Sequence, residues 1–185
     1  MSDPVSALGG KTYAGFAKIR EIGPVGMISL RCDLAEKALP ALIKSIVGTK
    51  LPSSRRIETK DEKAVGWMSP DELLLILPYN DVAKALDTIG KKLALIYHLA
   101  VDVSDARAVF RIEGPKADEV LMKLAPVDLA NLAVGELRRT RVAQVAAAFW
   151  KDADGFTLVS FRSVAGYVMG LLEHSAQPGS DLRLR

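Results

Sequence analysis

Two histidines, one cysteine and a late group of arginines are the side chains of this 185-residue chain best suited to chemistry. His98 and Asp102 fall on one face of an alternating stretch, the types that make a proton relay. Four residues of strand hold them roughly 13 Å apart, so they form no dyad unaided. His174 falls in the last turn of a helical stretch, where the dipole favours a cation. Cys32 shares an apolar strand face with Ile28 and Leu30 and reads as a small hydrophobe. A single cysteine permits neither an internal disulfide nor a multi-cysteine zinc site. Structural roles are expected of all three.

Linear motifs add nothing catalytic. No glycine-rich phosphate cradle stands between a strand and a helix, and no H-x-x-x-H or C-x-x-C metal spacing occurs. Asp152 and Asp154 precede Gly155 like the opening of a calcium loop, yet no glutamate stands at the distance that loop requires. A hairpin turn is the expected reading. We therefore expect no catalytic residue, metal ligand or cofactor in this chain.

The arginines leave more open. Arg138, Arg139 and Arg141 lie at a strand entrance, with Arg162, Arg183 and Arg185 further on. Arg162 stands one residue before a helix that Ser163 could cap, which would set free amides beside a guanidinium as an anion site. A folate glutamate tail, a nucleotide phosphate or a partner's carboxylate would suit it; plain solvated charge is the competing reading. The net charge is only +3, and aromatic residues make up 6% without alternating with the arginines. That pattern lacks the basic stripe and stacking platforms of a nucleic-acid binder. An acidic protein surface would use the same arginines.

The elements that must position these groups follow from periodicity. Residues 1–26 hold seven glycines or prolines without sustained period and read as an N-terminal arm ordered against a partner. Met27 to Cys32 alternates as a strand, and Asp33 is expected to cap a helix carrying Leu39, Leu42, Ile43, Ile46 and Val47. Short strands at 56–60 and 64–68, an apolar strand at 73–77 and a helix from about Asn80 to Lys92 follow. Further strands are expected at 98–104 and 107–113, then a short helix bearing Ala117, Val120, Leu121 and Leu124.

Arg141 to Trp150 reads as one strand, with Ala143, Val145, Ala147 and Phe149 on one face and Val142, Gln144, Ala146, Ala148 and Trp150 on the other. Small side chains on both faces suit a strand covered on both sides. A strand at 156–161 and a helix from Ser163 to about His174 close the pattern. Gly166 and Gly170 in that helix each cost about 1 kcal/mol against alanine. Two reasons for them stay open: docking on the chain's own sheet, or a second subunit pressing on the glycine flank.

Strand, helix, strands, helix thus occurs twice, with offsets of 81 to 83 residues between the copies. The fold class is α+β: two tandem ferredoxin-like units with mostly antiparallel sheets and helices on one face. The expected boundaries are 1–26 arm, 27–97 first unit, 98–175 second unit and 176–185 tail. The N-terminus has no basic start or long apolar run, and no stretch reaches the 18 or so apolar residues of a membrane span. The cytoplasm is the expected location.

Four segments carry a resemblance: Gly66-Trp-Met-Ser-Pro-Asp-Glu-Leu-Leu-Leu75, Phe110-Arg-Ile-Glu-Gly-Pro-Lys-Ala-Asp118, Arg139-Thr-Arg-Val-Ala-Gln-Val-Ala-Ala-Ala-Phe-Trp150 and Phe161-Arg-Ser-Val-Ala-Gly-Tyr-Val-Met-Gly-Leu-Leu-Glu173. Together they resemble the gamma subunit of heterotetrameric sarcosine oxidase, over roughly residues 25 to 175. The resemblance implies a noncatalytic subunit beside alpha, beta and delta subunits. The complex would demethylate sarcosine to glycine, form hydrogen peroxide and pass the one-carbon unit to tetrahydrofolate. FAD, covalent FMN, NAD, tetrahydrofolate and zinc are implied for the other subunits, none for this chain. A distant kinship to folate-binding aminomethyltransferases supports the alternative of a stand-alone folate-type or small-anion binding module, with Arg141 or Arg162 as its cation. The expected subunit-interface residues are Arg139, Arg141, Gln144, Trp150, Arg162 and Gly166.

Overall fold

Eleven strands and four α-helices follow one another along the chain in a computed structural model that describes residues 4–182. Arg183 and Arg185 lie outside the described residues. In order they are β1 (Thr12–Ala14), β2 (Lys18–Ile22), β3 (Gly26–Cys32), α1 (Leu39–Ile46), β4 (Ile57–Lys60), β5 (Lys63–Ser69), β6 (Glu72–Leu77) and α2 (Val82–Lys92). Then come β7 (His98–Asp102), β8 (Arg107–Glu113), α3 (Ala117–Met122), β9 (Leu137–Val142), β10 (Val145–Lys151), β11 (Gly155–Phe161) and α4 (Ala165–Ser175). The chain divides into a central unit, Pro24–Ser104, and a terminal unit built from the residues up to Gly23 and from Asp105 onward.

The central unit has a five-stranded antiparallel sheet in the order β4-β5-β6-β3-β7. Its core joins Ile28 and Leu30 of β3, Leu73 and Leu75 of β6, Leu42 and Ile43 of α1, and Val82 and Ile89 of α2. Alternation along each strand sends these side chains to one face, where both helices lie. Pro40 sits in the first turn of α1, where its missing N–H is no loss. Asp33 does not cap that helix; its Oδ1 accepts the Ala35 N–H at 2.9 Å and shapes the preceding turn.

The terminal unit has a six-stranded antiparallel sheet, β1-β2-β8-β11-β10-β9. Ile19, Phe110, Ile112, Phe149, Phe156 and Leu158 meet Val120 and Leu121 of α3 and Val168, Met169 and Leu172 of α4. The opposite face buries Val109, Ala148, Trp150 and Val159 as well. Both units are thus α+β with antiparallel sheets and helices on one face, the ferredoxin-like pattern the sequence announces.

The expected boundaries differ from the observed ones in an instructive way. Residues 12–14 and 18–22 of the expected arm are strands, with β2 paired to β8 in the register Arg20↔Arg111. Strand β7, expected to open the second unit, pairs instead with β3 in the central sheet. The two departures are one pattern. In the central unit the strand after α2 lies beside β3; in the terminal unit β2 takes the equivalent place beside β8. Pairing with a strand some 90 residues away leaves no trace in local periodicity. Gly15 marks how closely this N-terminal hairpin is held: a Cβ there would stand 1.8 Å from the Ala176 carbonyl oxygen. Among the described residues no helix is long and apolar enough to cross a membrane.

Candidate functional site

The expected single strand 141–150 is two strands. Strand β9 ends at Val142, which stands opposite Val145, so Ala143 and Gln144 form a two-residue hairpin turn. Ala143 takes a φ of 51°, the left-handed region such turns require. Strand β9 is a sheet edge, and Arg139 and Arg141 on it are exposed, opposite Ala148 and Ala146 of β10. Gln144 at the turn is exposed as well. Arg138 points the other way along the strand alternation and pairs with Glu136 at 2.5 Å. Trp150 lies opposite Leu137 and is buried.

Arg162 is placed differently from the expectation. Its Nη2 donates to the carbonyl oxygens of Val5 at 2.7 Å and Ser6 at 3.3 Å. The same N-terminal segment is gripped by Glu21, a carboxylate 3% exposed. Glu21 accepts from the Ser6 hydroxyl at 2.8 Å and from the N–H groups of Leu8 and Gly10 at 3.0 and 2.8 Å. Lys11 adds an ion pair to Glu173 at 2.7 Å. The arm is therefore held by its own unit. Nor does Ser163 cap a helix: a 3-10 turn spans Arg162–Val164, and α4 starts after Val164 without a side-chain cap bond. The arrangement expected of an anion site, free amides beside a free guanidinium, is not formed.

The two glycines of α4 do not dock on the chain's own sheet. A Cβ added at Gly166 or Gly170 would meet nothing within 4 Å. Ala165, Val168, Met169 and Leu172 form the packed face instead. Gly166, Tyr167 and Gly170 lie on the exposed side.

A charged network missed at the sequence level crosses the helix-free face of the terminal sheet. Arg111 of β8 donates to both carboxylate oxygens of Asp152, with Nη2 at 3.1 Å from Oδ1, and its Nη1 reaches Thr157 Oγ1 at 2.6 Å. Arg20 of β2 bonds Glu113 through Nε at 3.2 Å and Nη2 at 3.1 Å. Arg111 Nε stands 3.6 Å from the same Glu113. Burial opposes the charge of Arg111, yet the bonds to Asp152 and Glu113 raise its pKa further. The Arg20 hydrogen bonds, against partial burial, hold Glu113 below the usual carboxylate value. The aspartate of the supposed calcium-like loop is thus an arginine partner. The available signal was Arg111 standing between Val109 and Glu113 in a strand face rather than in a turn.

The remaining candidates are also engaged structurally. His98 Nδ1 lies 2.8 Å from the Ile96 carbonyl oxygen. Asp102 accepts from the Ser104 amide at 2.9 Å and hydroxyl at 2.5 Å, and that hydroxyl in turn accepts the Met27 N–H at 2.9 Å. Cys32 is buried, and burial pushes its thiol pKa up, away from reactivity. His174 is exposed in the last turn of α4. A shallow depression in the central unit is lined by Ser45, Lys63, Asp81 and Lys84, but Lys63 is bound by Asp81 at 3.0 Å and the Ile46 carbonyl. Among the described residues no three His, Cys, Asp or Glu side chains are grouped to hold a metal ion.

The sequence and the overall fold have relatives among known proteins. The chain is 28% identical over 151 residues to sarcosine oxidase subunit gamma of Corynebacterium sp. (strain P-1), covering 76% of this chain and 70% of that one. It is 28% identical over 147 residues to the Arthrobacter sp. subunit, with the same coverage. Its fold matches a chain of the heterotetrameric sarcosine oxidase from Corynebacterium sp. U-96 in complex with pyrrole 2-carboxylate, with TM-score 0.80 at 24% identity, over 94% of this chain and 91% of that one. Aminomethyltransferase T of the glycine cleavage system from Bartonella henselae shares the fold at TM-score 0.66 and 11% identity, over 92% of this chain and 55% of the other. The sequence profile of the sarcosine oxidase, gamma subunit family matches residues 31–177. The chain belongs to the sarcosine oxidase gamma subunit family.

Proposed function

We propose that this chain is the noncatalytic, structural subunit of a heterotetrameric sarcosine oxidase, assembled with alpha, beta and delta subunits. The observation that carries the reading is the family match across residues 31–177. The side-chain chemistry agrees with it: Arg111, Asp152, Glu113, Arg20 and Glu21 are engaged in bonds that join strands or hold the arm. Oxidative demethylation of sarcosine to glycine, peroxide formation and one-carbon transfer to tetrahydrofolate then take place on the partner subunits. FAD, FMN, NAD, tetrahydrofolate and zinc reside there too, and the complex works in the cytoplasm. Arg139, Arg141, Gln144 and the Gly166 flank are the exposed members of the contact surface we assign to the terminal unit.

The test is co-expression of the tagged chain with the genes of its complex, followed by affinity capture. The expected result is stoichiometric recovery of large flavin-bearing subunits with sarcosine-dependent peroxide formation. A lone colourless chain that binds a folate in calorimetry would overturn the reading in favour of a binding module.

A further inference from the structure

Strand β9 forms one edge of the terminal sheet, paired on its inner side with β10. Two contacts fix the phase of this ladder. The Lys151 N–H donates to the Glu136 carbonyl at 3.4 Å, and the two-residue turn closes on the pair Val142 and Val145. Even-numbered residues of β9 therefore turn their backbone groups toward β10. Those of Leu137, Arg139 and Arg141 turn outward, to the side where the sheet has no further strand. The side chains of Arg139 and Arg141 stand exposed on the helix-free face. Opposite them on β10 are Ala148 and Ala146, so the sheet itself sets no carboxylate across from either guanidinium.

Charge decides what can pair with this edge. In antiparallel pairing with a second copy about a two-fold axis, outward residues must meet outward residues. Wherever the axis falls, a register that joins more than half of β9 to itself sets Arg139 opposite Arg139 or opposite Arg141. Like charges directly opposite one another are destabilising. Nor do the other edge strands of the chain fit: β1, β4 and β7 carry no carboxylates at alternate positions. The pattern that rejects a second copy is the one that selects a strand of opposite charge from a different chain.

We propose that the outer edge of β9 receives an extended segment of a partner subunit bearing Asp or Glu at every second residue. That segment bonds the outward backbone groups of Leu137, Arg139 and Arg141 as a seventh strand of the terminal sheet. Two of its carboxylates then stand across from Arg139 and Arg141, on the face where the alanines of β10 leave them room. Backbone bonds supply the affinity and the facing charges the specificity. This inference rests on the subunit reading and deepens it, naming the chemistry and the binding mode of the partner.

The experiment co-expresses the partner subunits with an equal mixture of differently tagged wild-type and variant chains. The variants are Arg139→Glu/Arg141→Glu and, as a control with the same change of charge in the central unit, the exposed pair Lys37→Glu/Lys84→Glu. Thermal unfolding of each isolated chain confirms that it folds. The expected result is at least tenfold exclusion of the β9 variant from the complex, with the control incorporated evenly. Amide exchange of the wild-type chain, which needs no variant, is expected to slow at least tenfold at Leu137 and Arg141 on assembly. Equal incorporation of the β9 variant overturns the proposal while leaving the subunit reading intact. Exchange at Leu137 and Arg141 that is unchanged in the complex overturns the strand addition in the same way. Failure of the wild-type chain to enter any complex overturns both readings.

Discussion

Arg111 on β8 and Asp152 in the turn between β10 and β11 are joined by two parallel bonds, although 41 residues separate them in sequence. The guanidinium is nearly enclosed and also serves Thr157, so one side chain ties a turn to the centre of the terminal sheet. Arg111→Ala leaves the carboxylate and hydroxyl without their donor. The expected loss is about 2 kcal/mol, discounted because Asp152 keeps some contact with water. The midpoint of urea unfolding measures it, and a midpoint unchanged from wild type would contradict the structural role.

Glu113 gives the molecule a pH signature. The Arg20 hydrogen bonds lower its folded pKa below the ordinary value of 4.5. Its stabilisation is therefore complete well above that value and is lost as the pH falls through the lower, folded value. Glu113→Gln is expected to cost about 1 kcal/mol at pH 7, solvent screening of the half-exposed Arg20 included. The gap between wild type and variant should close progressively below pH 4.5. Unfolding curves at a series of pH values test the sign; a gap that widens in acid would refute it.

The N-terminal arm should loosen when its grip is removed. Glu21→Ala deletes the acceptor for Ser6, Leu8 and Gly10. We expect at least tenfold faster amide exchange at Leu8 and Gly10, with about 1 kcal/mol lost globally. Arg162→Ala should loosen the carbonyls of Val5 and Ser6 to a smaller extent and leave turnover of an assembled complex unchanged. Exchange at the arm unaffected by either change would remove the clamp from the account.

Two glycines give opposite outcomes on substitution by alanine. Gly155 has a φ of 147°, and a Cβ there would lie 2.1 Å from the Ile112 carbonyl oxygen, so Gly155→Ala is expected to cost more than about 2 kcal/mol. Gly166 faces open space on α4, and Gly166→Ala should stabilise the isolated chain by up to about 1 kcal/mol. Paired thermal melts decide both signs. Lower incorporation of a more stable Gly166→Ala chain into the complex would place this flank at a subunit contact.

Local patterns were legible where the period was strong and the partners were close in sequence. The apolar run 73–77, the alternation at 107–113 and the stripes of both long helices all correspond to elements in the structure. The hairpin at Ala143 was not legible, because alanine at positive φ in a two-residue turn carries none of the Asn-Gly chemistry that marks such turns. The place of β2 beside β8 was hidden for a different reason: nothing in Lys18–Ile22 names a partner 90 residues on. At the candidate site, unbroken alternation over 141–150 would put Arg141 in phase with the buried Phe149; the turn at Ala143 and Gln144 instead sets Arg139 and Arg141 opposite Ala148 and Ala146. The engagement of Arg162 with backbone carbonyls depended on a segment with no period of its own.

The placement of β2 also orders events in time. As the chain leaves the ribosome, the central unit is continuous in sequence and is complete once Ser104 has emerged. Strands β1 and β2 have already been made, but their place in the sheet does not exist until β8 follows, and the core beneath them closes only with α4. The segment carrying β1 and β2 is among the last parts of the fold to find its position. Closing that long loop is an entropic cost met late, which makes the joining of β2 to β8 the natural slow step of folding.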